Sequence, residues 1–147
     1  MNLQILSRSQ AENLLENGTF PENTAVISFY DPKDDHVRYE NICSDVYYCP
    51  AEDIELHDLL DSDRYGDWFD YADDLAAFIY EAYNNGKDII CQCDYGESRS
   101  AGCAAAISEH FYHNGISIFA DHDKCPNKLI YHRVYDALKT LSQDSSY

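Results

Sequence analysis

The feature that most constrains the fold is the run of residues 88–112, in which DIICQ is followed by a polar loop and then by the helical pattern SAGCAAAISEHFY. A short apolar run that follows polar turn residues is typical of a central strand of a sheet. The small residues after it predict a helix that lies close to that sheet, and Gly115 is the expected stop of the helix. Residues 93–98 are then the loop that joins the strand to the helix.

Other strand patterns surround this unit. TAVISFY, from Thr24, is almost continuously β-branched or aromatic, which predicts a strand buried on both faces, and Asp31 with Pro32 ends it in a turn. DVYYC and DIELHD predict two shorter strands.

Helical patterns alternate with these strands. Ser7 and Ser9 have capping-box spacing before a short helix that stops at Gly18. A second helix is predicted over residues 67–86, and a last helix is capped by Asn127 and carries Ile130, Val134, Ala137, Leu138 and Leu141 on one face. The alternation predicts a single-domain α/β protein over residues 1–147, with a central, mainly parallel sheet flanked by helices.

The charge of the chain limits its partners. Ten basic residues stand against 27 acidic ones, which gives a formal net charge of −17. Nucleic acids and anionic membrane surfaces attract clustered Lys and Arg, so we expect neither as a partner. The N-terminal MNLQILSRSQ lacks the pattern of a signal peptide, and no apolar run is as long as a membrane span, so we expect a cytoplasmic protein.

The loop of residues 93–98 combines groups that bind an oxyanion. Its backbone N–H groups converge at a helix N-terminus, and Gly96 allows the loop to turn. Arg99 can form two hydrogen bonds to one phosphate, and the same positive surroundings favour the thiolate of Cys93, a candidate nucleophile. The predicted substrate-binding residues are Asp94, Tyr95, Gly96, Glu97 and Ser98.

Residues 93–100, CDYGESRS, match a Cys-x5-Arg-Ser/Thr signature, and with the strand and helix around it the chain resembles the cysteine-based protein tyrosine phosphatases, most closely the compact dual-specificity branch. The resemblance implies that Cys93 forms a phosphocysteine intermediate, that Arg99 stabilises the phosphoryl group and that Ser100 donates a hydrogen bond to the cysteine sulfur. It also implies an aspartate general acid, which we place at Asp58, at the end of IELHD, with Asp61 and Asp63 as alternatives. Such an enzyme needs no metal or other cofactor.

Two positions depart from the pattern of this family. Gln92 stands where a histidine is usual, and glutamine lacks the protonation equilibrium of an imidazole, so Cys93 is expected to be less activated. Glu97 stands where an apolar residue is frequent. A carboxylate that faces the bound phosphate would repel it, whereas one that faces solvent would be screened.

The remaining cysteines and histidines are expected to be structural. In a cytosolic chain the six cysteines are expected to be free thiols, and we place Cys91 in the core, on the strand face opposite to Cys93. His110 and His113 have no spacing typical of a zinc site. Asn127 is a candidate for supporting the site indirectly.

These observations predict a cysteine-dependent phosphomonoesterase whose substrate is a phosphorylated protein or a small phosphomonoester. Two alternatives stay open. One is a catalytically weak module of the same fold that binds phosphorylated ligands, which Gln92, Glu97 and the net charge favour. The other is a sulfurtransferase or an arsenate-handling cysteine enzyme, against which Ser100 and an upstream acid argue.

Overall fold

The computed structural model describes residues 1–54 and 69–143 of the protein. Its elements, in chain order, are β1 (Leu3–Leu6), α1 (Arg8–Glu16), β2 (Thr24–Tyr30), β3 (Val46–Pro50), α2 (Ala72–Asn84), β4 (Asp88–Gln92), α3 (Arg99–Tyr112), α4 (Ile116–Phe119) and α5 (Lys128–Ser142). The described strands form one parallel sheet in the order β1, β4, β2, β3. The predicted α/β class and the parallel sheet are confirmed.

The two central strands are buried on both faces, as the sequence predicts for β2. Ile27 of β2 lies opposite Cys91 of β4, and both side chains belong to the larger hydrophobic core. The next residues toward the N-termini, Val26 and Ile90, also lie opposite each other and belong to a second core. Side chains alternate between faces along a strand, so the sheet has a core on each side.

Helices cover both faces of the sheet. α2, α3 and α5 contribute to the larger core, and α5 packs against both of the others. α1 covers the second core through Ala11. The predicted caps are present, because the Ser7 side chain accepts a hydrogen bond from the Gln10 N–H and the Asn127 side chain accepts one from Ile130 N–H. No helix in residues 1–54 and 69–143 is long and apolar enough to cross a membrane.

Two helix boundaries differ from the sequence predictions. α2 begins at Ala72 rather than at residue 67, because Phe69 has a φ of 55°, which no residue of a right-handed helix adopts. Residues 67 and 68 lie outside the described residues. α3 ends at Tyr112 and not at Gly115, and its C-cap His113 also has a φ of 55°. Gly115 is instead the N-cap of α4, at a place where a Cβ atom would lie 2.8 Å from the Ala105 carbonyl oxygen.

The structure adds one strand to those predicted, and most of one predicted strand lies outside the described residues. β1 was not predicted, and its four residues pair with β4, with Ile5 opposite Cys91. In the segment DIELHD, Asp53 and Ile54 belong to no strand, and the rest of the segment lies outside the described residues. In the described sheet β1 is therefore an additional strand beside β4, and residues 51–54, which follow β3, belong to no strand.

Candidate active site

The predicted loop lies between the end of β4 at Gln92 and the start of α3 at Arg99. It packs on the connection between β1 and α1, where Cys93 N donates to Leu6 O at 3.3 Å and Arg8 N donates to Asp94 O at 3.1 Å. The backbone N–H groups of residues 94–98 donate no hydrogen bond to any residue that the structure describes. Successive unpaired donors before a helix N-terminus form a site suited to an oxyanion.

Gly96 is required in this loop for two reasons. Its φ is +69°, in the left-handed region that favours glycine. A Cβ atom there would also lie 2.7 Å from Ser7 N and 2.9 Å from the carbonyl carbon of Leu6. The loop is thus in close backbone contact with the start of α1, and its Gly96 carbonyl accepts a hydrogen bond from Lys124 Nζ at 2.9 Å.

Replacing Gly96 with alanine is expected to destabilise the fold by about 3 kcal/mol, the sum of a left-handed backbone and a backbone clash. Gly18→Ala is the matched control, because Gly18 has the same φ of +69° with nothing within 4 Å of a new Cβ. This control should cost only about 1 kcal/mol. Urea unfolding of the two variants measures the difference. Equal losses in the free energy of unfolding would show that the backbone at the start of α1 can move aside for a Cβ atom at little cost.

Cys93 is held next to a hydroxyl group. The residue is 2% exposed, and its Sγ lies 3.0 Å from Oγ of Ser100, which is fully buried in the first turn of α3. A hydroxyl at this distance can donate a hydrogen bond to a thiolate and so stabilise the charged sulfur. This is the contact that the resemblance implies for Ser100.

Arg99 is buried beneath the loop, with 4% of its surface exposed. Its Nη1 donates to Ala51 O at 3.0 Å, and its Nη2 donates to Oδ2 of Asp94 at 3.2 Å. Its Nε is buried and has no hydrogen-bond partner among the described residues. The guanidinium is therefore anchored on one side and keeps a donor that a bound anion could use.

The side chains of the loop point in different directions. Tyr95 is 79% exposed, and Glu97 is also exposed. The carboxylate that meets Arg99 is that of Asp94, whereas the sequence had drawn attention to Glu97. Of the two orientations left open for Glu97, the structure has the one toward solvent.

Gln92 lies on the sheet face away from the larger core. Its side-chain oxygen accepts hydrogen bonds from Ser28 Oγ at 2.6 Å and from Tyr39 Oη at 2.8 Å, and the glutamine is 1% exposed. Burial raises the pKa of the Tyr39 phenol, so this group remains a neutral donor. Gln92 thus ties β4 to β2 and to Tyr39 behind the loop.

Asp53 and Asn127 support the end of the loop. Oδ1 of Asp53 accepts hydrogen bonds from Ser98 Oγ at 2.7 Å and from Asn127 Nδ2 at 3.0 Å. Asn127 Nδ2 also donates to Ile54 O, and its backbone N–H donates to Ser98 O. The capping signal identified Asn127, but nothing in the sequence distinguished Asp53 from the other aspartates of this acidic chain.

All six cysteines are free thiols. Cys91 and Cys93 belong to the same core, so the prediction that they lie on opposite faces was wrong, because residues i and i+2 of a strand share a face. A hydrogen bond with Cys103 and burial raise the pKa of Cys91 well above its usual value. Cys91 is therefore a neutral core thiol next to the nucleophile candidate.

The predicted general acid, Asp58, and its alternatives Asp61 and Asp63 lie outside the described residues. Among residues 1–54 and 69–143, no three His, Cys, Asp or Glu side chains are grouped so that they could hold a metal ion. The site that the structure describes consists of Cys93, Arg99, Ser100 and the loop amides, with Asp53 and Asn127 as supports.

Comparison with known proteins places the fold. No protein-family model matches the sequence, and no curated protein is similar to it in sequence. Among solved structures, PTPMT1 in complex with PI(5)P matches with a TM-score of 0.56 and 11% identity, over 96% of this chain and 92% of that one. Human DUSP28 matches with a TM-score of 0.54 and 16% identity, over 95% and 93%. The chain therefore has the fold of the dual-specificity phosphatases of the protein tyrosine phosphatase superfamily.

Proposed function

We propose that the protein is a cysteine-dependent phosphomonoesterase of the tyrosine or dual-specificity type. The observation that carries the proposal is the loop of residues 93–98 at a helix N-terminus. It combines a buried thiol with a buried arginine whose Nε, like the backbone N–H groups of the loop, has no hydrogen-bond partner among the residues that the structure describes. A phosphomonoester has the charge and the oxygen acceptors that these groups require.

In the proposed reaction the Cys93 thiolate attacks phosphorus while the bond to the leaving oxygen breaks. Arg99 and the loop amides stabilise the charge on the phosphoryl oxygens. Asp58 gives its proton to the leaving oxygen, and an alcohol or phenol departs. Asp58 then takes a proton from water, whose oxygen attacks phosphorus while the phosphorus–sulfur bond breaks. Inorganic phosphate leaves, the electron pair of the broken bond returns to sulfur, and Ser100 donates a hydrogen bond to the thiolate.

The substrate class follows from charge. The net charge of −17 and the acidic loop residues Asp94 and Glu97 disfavour ligands that carry several phosphates. A phosphorylated protein side chain or a small phosphomonoester brings one phosphate to the site. We therefore propose these as the substrates and expect polyanionic lipids to be poor ones.

A weaker second candidate is a module that binds phosphate without turning it over. Gln92 favours such a module. This residue is a buried, neutral acceptor for Ser28 and Tyr39, and it stands where the phosphatases that the chain resembles usually have a histidine. Such a module would bind phosphopeptides and release no phosphate at any pH from 5 to 8.

The experiment is aryl phosphate hydrolysis from pH 5 to 8, with chelator and reductant present, by the wild type and by Asp58→Asn. We expect metal-independent turnover. The Asp58→Asn variant should lose about 10²-fold or more with a poor leaving group, and much less with an acidic phenol that departs without protonation. Asp61→Asn and Asp63→Asn are the comparison variants, and the leaving-group dependence identifies the acid. Turnover that requires added metal would contradict the proposal.

A further inference from the structure

The carboxylate of Asp94 contacts one guanidinium nitrogen of Arg99, the arginine that the proposed reaction requires. Asp94 directly follows Cys93, and its Oδ2 lies 3.2 Å from Nη2 of Arg99. The Arg99 side chain is 5% exposed and that of Asp94 is 29% exposed. Solvent and salt screen such a pair less than a pair on the surface. The charge of Asp94 therefore interacts directly with the guanidinium that we expect to bind phosphate.

The other nitrogens of Arg99 show what remains available to a ligand. Nη1 is committed to Ala51 O, and Nε has no partner among the described residues. Nε and Nη2 lie on one edge of the planar guanidinium, and such an edge binds a phosphate through two parallel hydrogen bonds. Asp94 uses only one nitrogen of that edge. A phosphate that takes the whole edge must share or displace this contact.

The backbone of Asp94 is fixed independently of its side chain. Its carbonyl oxygen accepts a hydrogen bond from Arg8 N at 3.1 Å, which holds this part of the loop on α1. The carboxylate can leave Nη2 by side-chain rotation, without a change in the loop. If it stays, it stands beside a second anion and repels it.

We propose that Asp94 is an internal competitor for phosphate, a residue that lowers the affinity of the loop for phosphomonoesters and for inorganic phosphate. The inference rests on the proposed function, because it assigns phosphate to the same loop. Substrate and product meet the same competition. Asp94 thus raises the KM and speeds the release of inorganic phosphate.

The test is a calorimetric titration of inorganic phosphate into wild type, Asp94→Asn and Asp123→Asn, at pH 7 and constant ionic strength. Asparagine keeps the size of the side chain and removes its charge. Asp123→Asn makes the same chemical change at an exposed aspartate outside the loop. We expect Asp94→Asn to bind phosphate at least about tenfold more tightly, and Asp123→Asn to change the Kd by less than about threefold.

Kinetics give a second readout. With an aryl phosphate, Asp94→Asn is expected to lower the KM by a factor similar to that for phosphate binding, while kcat stays the same or falls as product release slows. A role for Asp94 in orienting Arg99 predicts the opposite, with weaker phosphate binding and a lower kcat. If Asp94→Asn unfolds at a lower temperature than wild type, Asp94→Ala replaces it in the same titration.

The outcomes separate the two proposals. Phosphate binding by Asp94→Asn that is no tighter than that of wild type, including binding too weak to detect in both, would overturn the role of Asp94. Hydrolysis by wild type together with that result would leave the proposed function standing. Tighter binding by Asp94→Asn without hydrolysis by any variant would support the role of Asp94 and overturn the hydrolase.

Discussion

The Cys93→Ser variant is expected to lose aryl phosphate hydrolysis by at least about 10⁴-fold, on the scale seen when an enzyme loses its nucleophile. A serine hydroxyl is hardly ionised at neutral pH, so the attack on phosphorus would lack its anion. The fold should be unaffected, because serine can keep the hydrogen bond to Ser100 Oγ that the thiol forms at 3.0 Å. Initial rates with a chelator present measure the effect, and unfolding temperatures verify the fold.

Cys91→Ser is the matched control for this prediction. Cys91 lies on the same strand face two residues earlier, belongs to the same core and forms a hydrogen bond with Cys103. Burying a hydroxyl there should cost about 1 to 3 kcal/mol of stability and leave kcat nearly unchanged. If Cys93→Ser kept as much activity as Cys91→Ser and the wild type, the reaction would not pass through a phosphocysteine.

Arg99→Lys is expected to lower kcat/KM by about 10³-fold, although it keeps the positive charge. A lysine ammonium offers no planar edge for two parallel bonds to a phosphate. It also cannot serve Ala51 O and Asp94 in the geometry that the guanidinium has. The value of kcat/KM and the affinity for inorganic phosphate should fall together, because the same donors bind substrate and product.

Arg38→Lys is the control for the arginine. Its side chain is 73% exposed and, within residues 1–54 and 69–143, forms an ion pair only with Asp35, at 3.9 Å, so the substitution should change kcat/KM by less than about twofold. A loss of less than tenfold in Arg99→Lys would mean that the loop amides alone bind the phosphoryl group, and would weaken the assignment of Arg99.

The central strands and the last helix were predictable because local apolar patterns decide them. β1 was not, because an edge strand of four residues depends on its pairing with β4. The start of α2 depends on Phe69, whose ring stacks on Phe29 at 6.1 Å and meets Tyr71 at 4.8 Å. Aromatic packing accompanies a left-handed φ that no helical periodicity indicates.

The candidate site was predictable where its groups are close in sequence. Cys93, Arg99 and Ser100 come from one loop and one helix turn. The structure places Ser100 Oγ 3.0 Å from Cys93 Sγ and joins Arg99 to Asp94, the residue after Cys93. Which carboxylate of the loop meets the arginine depends on backbone torsions that the sequence does not specify. The pair of Asp53 and Ser98 joins residues 45 positions apart, and only tertiary structure reveals it.

The contacts of Asn127 mean that the signature of residues 93–100 depends on a residue outside it for its conformation. This one residue caps α5 and binds Asp53 through its side chain, and its backbone N–H holds Ser98. Its carbonyl oxygen lies so close to Gly102 that a Cβ there would be 2.5 Å away. Residues 88–112 transferred to an unrelated protein would contain the whole motif but would lack Asn127, whose contacts hold the end of the loop in place. Searches and designs based on the motif alone therefore need to include this partner.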